Sequence, residues 1–196
     1  MKNINLFEIK REVFHILVGV LIVLGVLFVP HAEIIGFIVF IFGALISFLA
    51  TQYNIPFITK CLCLFERDCN KKFPGKGVLF FFAGSLLVLQ LFSRDIALAS
   101  ILILTFADPI AHFIGAGFGK IKSPVNKNKN IEGTFAGIVV GMIFASFFVS
   151  ILQAFLGSLF AMTLELIGIA MGGENIDDNF IIPLVAGTIM HLISFV

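Results

Sequence analysis

The stretch IALASILILTFADPIAHFIGAGF (96–118) runs for 23 residues with one carboxylate and neither lysine nor arginine. A bilayer-spanning helix needs about 20 mostly apolar residues, so this segment alone reads as a transmembrane helix. Six further apolar runs flank it, at 13–29, 33–50, 77–92, 134–153, 156–171 and 180–196. The expected fold is therefore all-α: an integral membrane protein of about seven transmembrane helices, forming a single multi-pass domain over 1–196. The breaks fall at Pro30-His31, at 51–76, at Ser93-Arg94-Asp95, at 119–133, at a turn around Gly157-Ser158, and at 172–179. Within the longest break, 55–65 mixes apolar residues with Thr and Cys and reads as an interfacial segment. Runs three and six hold only 16 residues and cross a ~30 Å core only if the bilayer thins or flanking residues help.

Composition agrees. Of the 196 residues 59% are apolar and 13% charged, against about 25% charged in a soluble domain, and the mean hydropathy is +1.10. The first run is long for a signal peptide and lacks a clean cleavage site, so it reads as a retained span. Cys61, Cys63 and Cys69 share one loop with no histidine beside them; three cysteines so placed are neither a disulfide framework nor a zinc site, and read as reduced thiols.

The net charge of +1 conceals a one-sided distribution. Of 13 basic residues, 12 fall before run one, between runs two and three, or between runs four and five; Arg94 alone falls on the other side. The positive-inside rule then places the N-terminus in the cytoplasm and the C-terminus outside. The long polar loops 51–76, 119–133 and 172–179 are cytoplasmic, and so is the expected active site. Nucleic acid is not an expected partner.

Candidate chemistry lies along that face. Odd-numbered spans begin there, and helix N-termini with unpaired N–H groups beside Lys and Gly suit phosphate. Gly75-Lys76-Gly77 and the 120–133 loop have that character. Ionisable groups inside a membrane are costly and usually functional. Asp108 precedes Pro109, a helix-start signature, so the fourth span is expected to break there and expose Asp108 at a half-helix end. Glu165 lies inside the sixth run, and Asp177, Asp178 and Asn179 open the seventh. Acidic oxygens beside a phosphate cradle are what a magnesium nucleotide needs. Arg11 and His15 share a face of span one with Glu8 and Glu12. His112, one turn beyond Asp108, reads as a satisfied core histidine. No P-loop, GxGxxG, HExxH or GxSxG motif is present.

With these residues in view, the chain resembles the CTP-dependent membrane kinases of lipid alcohols: dolichol kinase, phytol kinase and the yeast-type diacylglycerol kinase. These are related to phosphatidate cytidylyltransferases. The segment EIKREVFHILVG (8–19) is similar to the family's E-x-x-R-K-x-x-H opening, with Glu12 in place of the second basic residue. FERDCNKKFPGKGVLFFFAGSLL (65–87) resembles the start of its third span and covers Arg67, Gly75, Lys76 and Gly77. ADPIAHFIGAGFGKIKSPVNKNKNIEGTFAG (107–137) resembles D-P-x-A-x-x-x-G-x-x-x-G-K followed by K-[ST]-x-E-G. It marks Asp108, Ala111, Gly115, Gly119, Lys120, Lys129, Glu132 and Gly133, with Asn130 where Ser or Thr is usual. ELIGIAMGGENIDDNFIIPLVAG (165–187) resembles the E…D-D-N-x-x-x-P ending and covers Glu165, Asp177, Asp178, Asn179 and Pro183.

The resemblance implies a phosphatidate-cytidylyltransferase-like helical bundle in which CTP phosphorylates the hydroxyl of a lipid alcohol, with Mg²⁺ as cofactor. It implies catalytic roles for Asp108, Glu132, His15 and Arg11. Nucleotide contacts fall to Lys76, Gly115, Gly119, Lys120, Lys129, Gly133 and Asn179, and metal contacts to Asp108, Asp178, Asp177 and Glu165. The expected partners are CTP, an isoprenoid alcohol or diacylglycerol, and the bilayer, with a homodimer as a candidate assembly. The expected location is the cell membrane of a prokaryote or the endoplasmic reticulum of a eukaryote. Two other readings stand beside this one: a CTP:lipid-phosphate cytidylyltransferase, and a small membrane transporter lined by Asp108 and Glu165.

Overall fold

The computed structural model describes residues 6–53, 75–168, 170–171 and 174–195. Cys61, Cys63, Cys69, Arg67 and the interfacial segment 55–65 lie outside the described residues. Seven helices are described: α1 (Leu6–Phe28), α2 (Ala32–Tyr53), α3 (Lys76–Leu91), α4 (Arg94–Phe118), α5 (Ile131–Ala145), α6 (Ile151–Ile167) and α7 (Asp178–Ile193). A two-residue antiparallel ladder, β1 (Ala170–Met171) with β2 (Glu174–Asn175), links α6 to α7.

Helix α1 shows why this is a membrane protein. Its outward stripe is Leu6, Ile9, Val13, Leu17, Leu21, Leu24 and Phe28, while Glu12 and Gly19 face inward. A soluble helix turns its apolar stripe to the core; here apolar side chains face out and the acid faces in, as a lipid solvent requires. Helices α1, α2 and α4 are long and apolar enough to cross a membrane. The other four have 15–17 residues, a rise of about 22–26 Å.

Helix α4 is the centre of the bundle. From Ile96 to Thr105 every residue is buried, and α1, α3, α5 and α7 all pack against it. In lipid, helices associate through close packing of small residues. Gly19 of α1 meets the Thr105 side chain, Gly84 of α3 meets the Asn179 carbonyl, and Gly157 of α6 meets Met190.

Three sequence expectations change here. The fourth span is not broken at Asp108. A proline inside a helix has no N–H to give and crowds the carbonyl four residues back, here that of Thr105. Helix α4 accommodates this by widening into a π turn over Ile103–Ala107, a device that recurs at functional sites. Asp108 keeps helical angles (φ −63°, ψ −51°) and sits in mid-helix. The turn between spans five and six is not at Gly157-Ser158 but at 146–150. Ser150 and Gln153 form a reciprocal capping box that starts α6, which satisfies N–H groups that a helix start leaves open. Gly157 and Ser158 are instead buried contact residues. Helix α6 also stops at Ile167, with Gly168 at φ 73°, earlier than the run to 171 implied.

Candidate active site

Helices α1, α3, α5 and α7 all begin at one end of the bundle, and the polar interior gathers there. Arg94 marks the opposite end, where it donates to the Val26 and Leu27 carbonyls at the close of α1. On the α1 side, Glu12, His15 and Asp108 each offer a ligand atom within 4.8 Å of the others. The π turn aims the Leu104 carbonyl at α1, where it accepts a hydrogen bond from His15 Nε2 at 3.1 Å. A carbonyl can only accept, so Nε2 carries a proton. The His15 ring also stands edge-on to Phe81, with centroids 4.7 Å apart.

Glu12 is only 2% exposed and pairs with Arg11. His112 lies between two carboxylates, with Nε2 2.9 Å from Glu8 and Nδ1 3.3 Å from Glu12. These contacts tie α4 to α1 beside Asp108. The signal was present in the sequence, since His112 follows Asp108 by one turn and Glu8 and Glu12 share a face. What no sequence pattern showed was that those two faces meet.

The second half of the site is built by the loop between α4 and α5. It closes through an antiparallel bridge between Lys122 and Asn130 and a bond from Ile131 N to Ile121 O of 3.0 Å. Ser123, buried, accepts from the Val125 and Asn126 amides and donates to Leu166 O. This scaffold turns Lys129 inward, onto Glu165 of α6 and onto Asp178 of α7 at 2.8 Å. Burial pulls the Lys129 ammonium down, but Glu165, Asp178 and Asp108 together outweigh it and hold its pKa well above the usual lysine value. Asp178 is pushed up by burial and pulled back by Lys129. Asp108 interacts electrostatically with His15 on one side and with Lys129, Glu165 and Asp178 on the other. It is the residue that joins the two halves.

The remaining predicted residues take other places. Glu132 accepts from the backbone N–H groups of Lys120 (2.8 Å) and Ile121 (3.0 Å), and the Lys120 bond leads the causes that hold its carboxyl below the usual range. Lys120 itself is exposed. Gly115 and Gly133 bring α4 and α5 into backbone contact, and Asn130 donates from its side-chain amide to Gly115 O at 2.6 Å beside Gly119. Asp177 caps α7 by accepting from Asn179 N; burial pushes its carboxyl up to about 6, against that bond and the nearby charge of Lys76. Asn179 donates to Gly77 O at 3.2 Å, tying α7 to α3, and Lys76 lies 5.5 Å from the centre of the Phe80 ring.

Because Glu132 holds the loop from its surface side, Glu132→Ala is expected to free two amides without disturbing the core. Hydrogen exchange at Lys120 and Ile121 should accelerate while the melting temperature stays put. Turnover should fall roughly ten- to a hundredfold as Lys129 loses its placement. Unchanged exchange at those amides would show that the carboxylate does not fasten the loop.

The chain is also similar to known proteins. The chain is 26% identical to CTP-dependent diacylglycerol kinase 1 of Schizosaccharomyces pombe, over 95% of this chain and 93% of that one. It is 25% identical to the protein of the same name in Saccharomyces cerevisiae, over 95% of this chain and 73% of that one. An uncharacterized protein of Methanocaldococcus jannaschii is 33% identical over 94% of this chain and 93% of its own. The fungal relatives support the CTP-dependent lipid kinase family for the chain. No protein-family model matches it, and no solved structure does. For such a kinase the described residues offer two kinds of group at one end of the bundle. The carboxylates of Asp108, Glu165 and Asp178 are hard oxygen donors of the type Mg²⁺ takes, and Lys129 supplies positive charge between two of them. That donor set fits a magnesium nucleotide.

Proposed function

We propose that the chain transfers the γ-phosphate of CTP to the hydroxyl of a membrane lipid alcohol at the cytoplasmic face of its membrane. The observation that carries this reading is the convergence of Asp108, Lys129, Glu165 and Asp178, from α4, the following loop, α6 and α7, in an otherwise apolar bundle. Diacylglycerol is the favoured acceptor, because the fungal relatives are named for it; polyprenol and phytol share the same primary chemistry.

Catalysis of phosphoryl transfer is mostly positioning and charge stabilisation. Asp108, Asp178 and Glu165 would hold Mg²⁺, which neutralises charge on the triphosphate when bound. Lys129, Lys120 and Lys76, with the N-terminal N–H groups of α5 and α7, orient the phosphates. The lipid hydroxyl reaches the site laterally from the bilayer, past α1. His15, whose Nε2 proton is held by Leu104, has Nδ1 to take the hydroxyl proton, with Asp108 beside it to stabilise the imidazolium. The hydroxyl oxygen bonds to the γ-phosphorus, the bridge to the β-phosphate breaks, and CDP leaves.

The test is transfer from CTP labelled at the γ-phosphate, using purified protein in vesicles that carry diacylglycerol, polyprenol, phytol or farnesol. Labelled lipid phosphate with CDP is the expected product. Pyrophosphate with a CDP-lipid would make the protein a cytidylyltransferase. No nucleotide-dependent lipid product at all would remove the kinase reading.

A further inference from the structure

Lys129 is the described lysine whose ammonium is turned into the bundle, and what it touches is unusual for a phosphate-binding lysine. Its Nζ lies on Glu165 and Asp178, and Asp108 adds a third negative charge. These are the carboxylates that the proposed function assigns to the metal. An ammonium is a compact point charge with three donors on a flexible stem, and hard divalent ions are held by the same kind of carboxylate oxygen. Two cations cannot bridge Glu165 and Asp178 at once without mutual repulsion in a partly buried site. The backbone at Lys129 is itself pinned, with its N–H on Asn126 O and its carbonyl on Ser123 N, both at 3.0 Å. Only the side chain is left to move.

We propose that Lys129 is a tethered stand-in for the metal: in the nucleotide-free protein its ammonium occupies the carboxylate site and keeps divalent ions out, and on arrival of the metal nucleotide it swings onto the phosphates. The inference rests on the kinase reading and adds an order to it. Metal and nucleotide enter together, and the empty protein has low affinity for the metal alone. Glu165 and Asp178 thereby keep a counter-charge between turnovers, since an unpaired buried charge is strongly destabilising.

The experiment is Mn²⁺ titration of the full chain in lipid nanodiscs, followed by electron paramagnetic resonance, with no nucleotide present. Wild type and Lys129→Arg should bind Mn²⁺ weakly. Lys129→Gln should bind it roughly tenfold more tightly or better, as expected from uncovering carboxylates whose partner has been removed. Adding Asp178→Asn to Lys129→Gln should abolish that gain. In wild type, CTP should bring tight Mn²⁺ binding with it. Tight nucleotide-free binding by wild type would overturn the proposal whether or not Lys129→Gln folds, and so would a folded Lys129→Gln with no gain. The nucleotide-free measurements do not depend on phosphoryl transfer. A chain inactive on every lipid that still shows the gain would therefore refute the kinase reading while supporting the stand-in.

Discussion

Asp108→Asn is expected to lower CTP-dependent lipid phosphorylation by about a hundred- to a thousandfold, the loss typical of removing one preorganised charge from a transition state. Asparagine keeps the shape of the side chain, so the π turn before Pro109 and the helix beyond it have no reason to move. What the variant loses is the charge that connects His15 with Lys129, Glu165 and Asp178. Helical content and membrane insertion should match the parent. The check is γ-phosphate transfer at saturating CTP, with circular dichroism on the same preparation. Activity within a fewfold of wild type would remove Asp108 from the site.

Gly133→Ala is expected to act through the scaffold. A Cβ at this position would stand 2.3 Å from Ala111 O and 3.0 Å from Gly115 Cα and N. All three obstacles are backbone, so the strain cannot be relieved by turning a side chain, and overpacking of this kind costs about 1–3 kcal/mol. Helices α4 and α5 must part, taking Glu132 away from the amides it holds and Lys129 away from its carboxylates. A lower melting temperature and loss of transfer should therefore come together. Gly25→Ala is the control, because nothing lies within 4 Å of a Cβ there and alanine is the better helix former by up to about 1 kcal/mol. Equal melting of the two variants would show that the Gly133 contact is not a constraint.

Much of the architecture was legible in the sequence because hydropathy acts locally. Each of the seven apolar runs overlaps a helix, although 134–153 also takes in the turn and the start of α6. Asp108 and Glu165, inside their runs, and Asp178, beside one, are among the acids the bundle brings near Lys129. The boundary between α5 and α6 was not legible. The chain is apolar almost without interruption from Ile131 to Ile167, and its break signal, the Ser150–Gln153 capping box, stands out no more in the sequence than the Gly157-Ser158 pair that imitates a turn. That pair is small because Met190 and Gly141 press against it, a fact about neighbours that a single run cannot express. Asp108-Pro109 misled for a related reason. The local preference is for a helix start, but with α1, α3, α5 and α7 packed around α4, widening one turn costs less than opening a helix end in an apolar interior.

The sequence by itself determined that this chain belongs in a membrane, roughly where most of its helices lie, and that its acids and lysines concentrate along certain loops and helix ends. Only the tertiary structure decided which of those charges meet. Lys129 is 36 residues from Glu165 and 49 from Asp178, and His15 is 89 from Leu104. Hydrophobicity places each helix independently of the others, whereas a buried charge is tolerable only beside a specific partner, and the partner is chosen by how glycine-lined helices close against one another.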